Sequence, residues 1–201
     1  MEIRDKLLGA AVRIFAETGY RGATTRRIAQ EAGVNEVTLF RHFGSKAELI
    51  LAALHHFGEA APRVVLPEEA SDPKRELTEW ARGHLRHLSN VRSLIRAAIG
   101  ESEEHQDLAA CGSEHPRRVG EQLHAYLVRL QERGLAADDF DPGVASAMLM
   151  GTLFSDALGR DLMPEVYARS QDEAATLYVG LFVRAIGVAD QGSPVTAAQS
   201  Q

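Results

Sequence analysis

The chain has 201 residues, 45% hydrophobic and 25% charged, enough for a small N-terminal module and one helical domain without covalent staples. Its single cysteine, Cys111, excludes an intrachain disulfide framework, and a net charge of −6 argues against nucleic-acid binding along the whole length. That total hides a split, because residues 1–50 hold eight Arg or Lys against six Asp or Glu, a balance of +2 that leaves −8 for the remainder.

Within 21–46 the charges Arg21, Arg26, Arg27, Arg41 and Lys46 face only Glu31 and Glu36. Such a chain can touch an acidic polymer with one end and keep the other away from it. No apolar run reaches about 18 residues, and the opening Met1 to Lys6 lacks a basic region followed by an apolar segment. The sequence therefore predicts neither a membrane span nor an export leader, and a cytoplasmic protein.

In chain order, Leu8, Ala11, Val12, Phe15 and Ala16 recur at helical spacing and predict a helix over 3–17 closed by Gly19. Thr24 or Thr25 can cap a short helix, 25–32, that turns Ile28 and Ala29 inward and ends at Gly33. Asn35 caps a third, 35–43, with Leu39, Phe40 and Phe43 on or near its inner side. Gly44 breaks it, and Ser45 with Glu48 forms a capping box for a helix over 46–60.

The prolines of 61–74 read as a connection. Helices follow at 74–89, with Leu77, Trp80, Ala81, His84, Leu85 and Leu88 on one stripe, and at 91–99. Gly100, Gly112, Pro116 and several acids predict a loop over 100–116 with at most a short helix. Further helices are expected at 117–133, at 142–159 behind Pro142, and at 171–187, and a frayed tail at 188–201. The helices 142–159 and 171–187 are apolar nearly all round, so each needs cover on more than one face. A second copy of the chain is the economical cover, in a four-helix arrangement across a two-fold axis.

The most specific signal lies in 24–46, TTRRIAQEAGVNEVTLFRHFGSK. Two short helices joined at Ala32, Gly33 and Val34 have the layout of a helix-turn-helix, in which the second helix enters the major groove and the first braces it. Here the chain resembles the TetR family of bacterial regulators. The resemblance rests on Phe15, Gly19-Tyr20, Thr24-Thr25, Ile28-Ala29, Ala32-Gly33-Val34, Thr38-Leu39-Phe40, His42-Phe43, Gly44-Ser45-Lys46 and Leu49, and covers roughly the first 50 residues.

The resemblance implies an all-α fold, with a three-helix DNA-binding module over 1–46, a ligand-binding and dimerisation domain over 47–187, and a flexible tail. It also implies a repressor that leaves a palindromic double-stranded operator when a small molecule binds. Thr25 is similar to the family's phosphate-binding hydroxyl and Lys46 to its phosphate-contacting lysine. Asn35, Glu36, Val37, Thr38, Arg41 and His42 would face DNA, with Arg41 reaching guanine or phosphate, Glu36 cytosine N4, and Val37 or Thr38 a thymine methyl. Two positions depart from the family pattern. Phe40 stands where most members have a tyrosine whose hydroxyl bonds a phosphate, and Val37 where a small residue is usual.

In the larger domain Trp80, His84, Tyr126, Met148 and Phe154 are candidates to line a pocket for a small, largely apolar effector. His84 interrupts an apolar stripe and can equally be a core histidine with a backbone partner. The eight histidines show no compact metal signature: His84 and His87 lie three apart on one helix, the adjacent His55 and His56 point to different sides, and Glu103, His105, Cys111 and His115 share a predicted loop. Neither a metal nor another cofactor is expected. No phosphate loop, nucleophile elbow or metalloprotease motif indicates an enzyme. The alternative regulator is one controlled by a protein partner, and a solid core with a partner-sized exposed patch would mark it, whereas an apolar cavity would mark a small ligand.

Overall fold

The computed structural model describes residues 2–59, 64–104 and 106–189, all helical apart from turns and connections. The helices are α1 (Ile3–Gly22), α2 (Thr25–Glu31), α3 (Glu36–Phe43), α4 (Lys46–Glu59), α5 (Pro73–Asn90), α6 (Arg92–Glu101), α7 (Gln106–Glu132), α8 (Pro142–Gly159) and α9 (Gln171–Ala185). The expected connection lies partly, and the expected tail almost wholly, outside the described residues.

Local chemistry sets most boundaries. Gly19, at φ +66°, breaks α1, and the last turn beyond it runs in a new direction. Thr24 rather than Thr25 caps α2 by accepting from the Arg27 N–H, and Asn35 Oδ1 caps α3 by accepting from the Thr38 N–H at 2.8 Å. The Ser45 hydroxyl accepts the Glu48 N–H at 3.1 Å, opening α4. Pro73 and Pro142 each occupy a first helical turn behind an aspartate cap, Asp72 and Asp141.

One element corrects the sequence reading. The loop expected over 100–116 is helical from Gln106 onward, and α7 runs through Pro116. A proline inside a helix removes one backbone bond and clashes with the preceding turn. Packing of α7 against α4, α6 and α8 overrides that local penalty.

Two apolar clusters organise the packing. The first joins α1 to α4 around Leu8, Phe15, Ile28, Leu39 and Leu49, and Leu94, Ala97 and Ala98 of α6 close one side of it. The second joins α5, α7, α8 and α9 around Leu77, Trp80, Leu123, Leu149 and Val179. Helix α6 lies along α1 and also contacts α7 and α8, so it stands between the two. Asp156, fully buried on α8, is paired with Arg160 and accepts the Tyr178 hydroxyl at 2.6 Å, fixing α9 against α8.

Candidate functional site

Helix α3 follows α2 after a turn in which Gly33 takes φ +70°, and its inner side is committed to packing: Leu39 and Phe43 are buried with Ile28. Its outer side exposes Val37 (76%), Phe40, Arg41 and His42, while Asn35 sits exposed at its start. The Thr38 hydroxyl donates to Asn35 Oδ1 at 2.9 Å, so the cap also orients a half-buried candidate base contact. The Thr25 hydroxyl donates to Glu36 Oε1 at 2.6 Å, joining the start of α2 to the start of α3. This bond holds two of the candidate residues in one register.

Lys46 is folded back. Its ammonium donates to the Tyr20 carbonyl at 2.7 Å and lies 3.9 Å from the centre of the Tyr20 ring. Burial lowers its pKa, and the Glu101 carboxylate partly offsets that. Glu101, at the end of α6, also accepts the Tyr20 N–H at 2.9 Å, and Arg21 pairs with Glu104 at 3.0 Å. The position expected to contact phosphate is thus tied to α6, a link that no sequence signal announces because 81 residues separate Tyr20 from Glu101.

On the other side of α6 lies a cavity of about 390 Å³, bounded by α4, α5, α6, α7 and α8. Of the five expected ligand residues, Trp80, His84 and Phe154 line it. Tyr126 and Met148 do not. Tyr126 is fully buried and donates its hydroxyl to Glu76 Oε2 at 2.6 Å, which uses its polar tip inside the core. Met148 lies 61% exposed on the outer face of α8, and Met150, two residues on and turned by two helical steps, faces the cavity instead.

His84 serves packing and cavity at once. Its Nδ1 bonds the Trp80 carbonyl at 2.9 Å, its ring lies 4.2 Å from that of Trp80, and burial lowers its pKa. The sequence reading missed His87 and His115 as lining residues. Their rings meet at 5.4 Å, one from α5 and one from the stretch of α7 that read as a loop.

This geometry is a helix-turn-helix module joined through α6 to an all-helical body with a half-open apolar cavity. The family described as "Bacterial regulatory proteins, tetR family" matches residues 7–53. The HTH-type transcriptional repressor AcnR of Corynebacterium efficiens is 47% identical over 138 residues, 68% of this chain and 70% of the relative. The uncharacterized HTH-type transcriptional regulator YvkB of Bacillus subtilis is 26% identical over 182 residues, 90% of this chain and 95% of the relative. Among solved structures, one from Mesorhizobium loti assigned to the TetR family superposes with a TM-score of 0.78 at 23% identity, covering 92% of this chain and 97% of that one.

The chain belongs to the TetR family of bacterial regulatory proteins. It is a DNA-binding transcriptional regulator of the helix-turn-helix type. No described helix is long and apolar enough to cross a membrane.

Proposed function

We propose that the chain is a homodimeric cytoplasmic repressor that holds two α3 helices in adjacent major grooves of a palindromic operator and releases it when a small, largely apolar effector fills the cavity. The observation that carries this reading is the shared wall. Helix α6 gives Leu94 and Ala98 both to the cavity lining and to the packing behind the reading head. Helix α4 does likewise, with Leu49, Ile50 and Ala53 in the head's core and Leu54 and Phe57 on the cavity.

Residues 1–46 then form the DNA-binding domain and 47–187 the effector and dimerisation domain, with 188–201 as a tail. Asn35, Glu36, Val37, Thr38, Arg41 and His42 face the groove, and Thr25 and Lys46 hold phosphates once Lys46 swings off Tyr20. Dimerisation is supported by an exposed apolar stripe at helical spacing, Val144, Met148 and Gly151 on α8 and Leu177 and Leu181 on α9, with the half-buried Gly180 beside it. A Cβ at Gly151 or Gly180 would meet nothing within 4 Å, so another backbone can approach there.

Adjacent grooves on one face of DNA are separated by about 34 Å. An effector that stabilises a different spacing lowers operator affinity by its own difference in affinity for the two states. The test is a gel-shift titration of the dimer against a genomic fragment library, followed by effector screening on the best fragment. Selection of one near-palindromic fragment over bulk DNA is expected, and a library with no preferred fragment would refute operator recognition.

A further inference from the structure

We infer that the cavity is built for an apolar monocarboxylic acid, whose carboxylate docks on the imidazoles of His84, His87 and His115 while one of them takes up a proton. This rests on reading the cavity as the effector site and names the chemical class that the site selects.

Most of the wall can hold only hydrocarbon: Phe57 from α4, Ile95 and Ile99 from α6, and Leu153 and Phe154 from α8. Polar groups gather where α5 meets α7. His84 and His87, three apart on α5, present their rings on one side of the helix, and α7 brings His115 to 5.4 Å from His87. The Trp80 carbonyl can only accept, so His84 Nδ1 carries a proton and Nε2 is left with the lone pair in the neutral ring.

The charged and titratable groups on the lining are His55 from α4, His84 and His87 from α5, and Glu114, His115 and Arg118 from α7, with none from α6 or α8. Glu114 stands beside His55 at 3.6 Å. Burial lowers the pKa of His84 and His87, and burial together with His87, His84 and Arg118 pushes His115 down to about 4. The ligand-free chamber thus presents three neutral imidazoles, mutually repulsive if protonated, with Arg118 nearby.

Each ligand class meets these groups differently. A purely hydrocarbon ligand strands the free imidazole polar atoms away from water without a partner. A cation meets Arg118 and finds only a carboxylate already placed beside His55. An anion offsets the burial, and at His115 the neighbouring positive charge, that hold the rings neutral, and gains a charge-assisted hydrogen bond. A carboxylic acid is ionised in solution at neutral pH, so the balance is one carboxylate and one solvent proton in, and one imidazolium–carboxylate pair formed.

Trp80 is the only tryptophan of the chain and lines the cavity, so its fluorescence reads occupancy. The full-length protein is titrated with decanoate and with 1-decanol at pH 6.5, 7.5 and 8.5. Decanoate affinity should fall about tenfold per pH unit, as one-proton linkage requires, while 1-decanol affinity stays flat. Calorimetry in buffers of different ionisation enthalpy should show uptake of about one proton per decanoate bound. His115→Gln and His87→Gln, checked for native melting, should each weaken decanoate about tenfold or more and leave 1-decanol unchanged. Equal binding of both compounds, or a pH-flat decanoate isotherm without proton uptake, would overturn the acid assignment and leave an effector cavity of another chemistry. If neither compound changes Trp80 fluorescence or displaces operator DNA, the acid assignment falls, and effector screening on the operator decides the cavity reading separately.

Discussion

Around Phe15 the N-terminal helices close on a filled core, and around Trp80 the C-terminal helices stop short of closing. The head turns Leu8, Phe15, Ile28, Leu39 and Leu49 into one contiguous cluster and presents a mainly polar surface broken by Val37 and Phe40. Among the described residues the body leaves apolar surface uncovered along the cavity, on the outer stripe of α8 and α9, and at Leu162, Met163 and Val166 between those helices. Filled cores give a rigid reading surface, whereas uncovered apolar surface has free energy to gain from a partner. The two halves differ in how completely they bury what their sequences supply.

The largest expected effect separates two neighbours on α9. Phe182 is 8% exposed and belongs to the body's core, while Leu181 is 61% exposed on the stripe. Phe182→Glu should prevent stable folding, since it buries an unpaired charge. Leu181→Glu should leave the helical circular dichroism intact and convert a dimer to a monomer in sedimentation. A dimeric Leu181→Glu protein would mean that the stripe is not the subunit interface.

Next comes the contrast between filled and unfilled packing. Phe15→Ala should lower the urea-unfolding free energy by about 3–5 kcal/mol, because a cavity opens in a closed core. Phe154→Ala, at a residue 39% exposed on the chamber wall, should cost less than about 1.5 kcal/mol. Similar losses for both would show that the body is as tightly closed as the head.

Tyr126→Phe tests whether the body's buried polar pair is structural. Burial alone would raise the Glu76 pKa, but hydrogen bonds from Tyr126, Asp72 and Ser71 outweigh it and hold the carboxyl below its ordinary range. A folded pKa below the unfolded one contributes stability above the ordinary glutamate range, and this is lost as pH falls through the folded value. Removing the hydroxyl should therefore cost about 1.5–3 kcal/mol at pH 7 and progressively less in acid. A loss independent of pH down to acid unfolding would show that packing, not the charge-assisted bond, sets the effect.

On the reading head the expected changes are smaller and of two kinds. Arg41→Ala should cost about 1–3 kcal/mol on the preferred operator and relax one base position if Arg41 reads an edge. Lys46→Ala should weaken all duplexes alike and reduce the salt slope by about one. Its cost should be lowered by release of the Tyr20 contact, which the wild-type lysine gives up on binding. Gel shifts across salt concentrations distinguish the two patterns.

The sequence by itself determined the helical class, the cap at Asn35, the break at Gly19 and the order of the head's elements, since each depends on contacts within a few residues. The apolar period also assigns Leu39 and Phe43 of α3 inward, as found, whereas Phe40, expected on or near that side, lies exposed. Only the tertiary structure decided that α7 runs through Pro116, that Tyr126 is spent on Glu76, and that Met150 rather than Met148 faces the chamber. The same is true of the meeting of His87 with His115 and of Glu101 with Tyr20. The physical reason is common to these cases. A helix's periodicity states which residues share a face, while the identity of what covers that face depends on distant segments and on packing strong enough to override local signals.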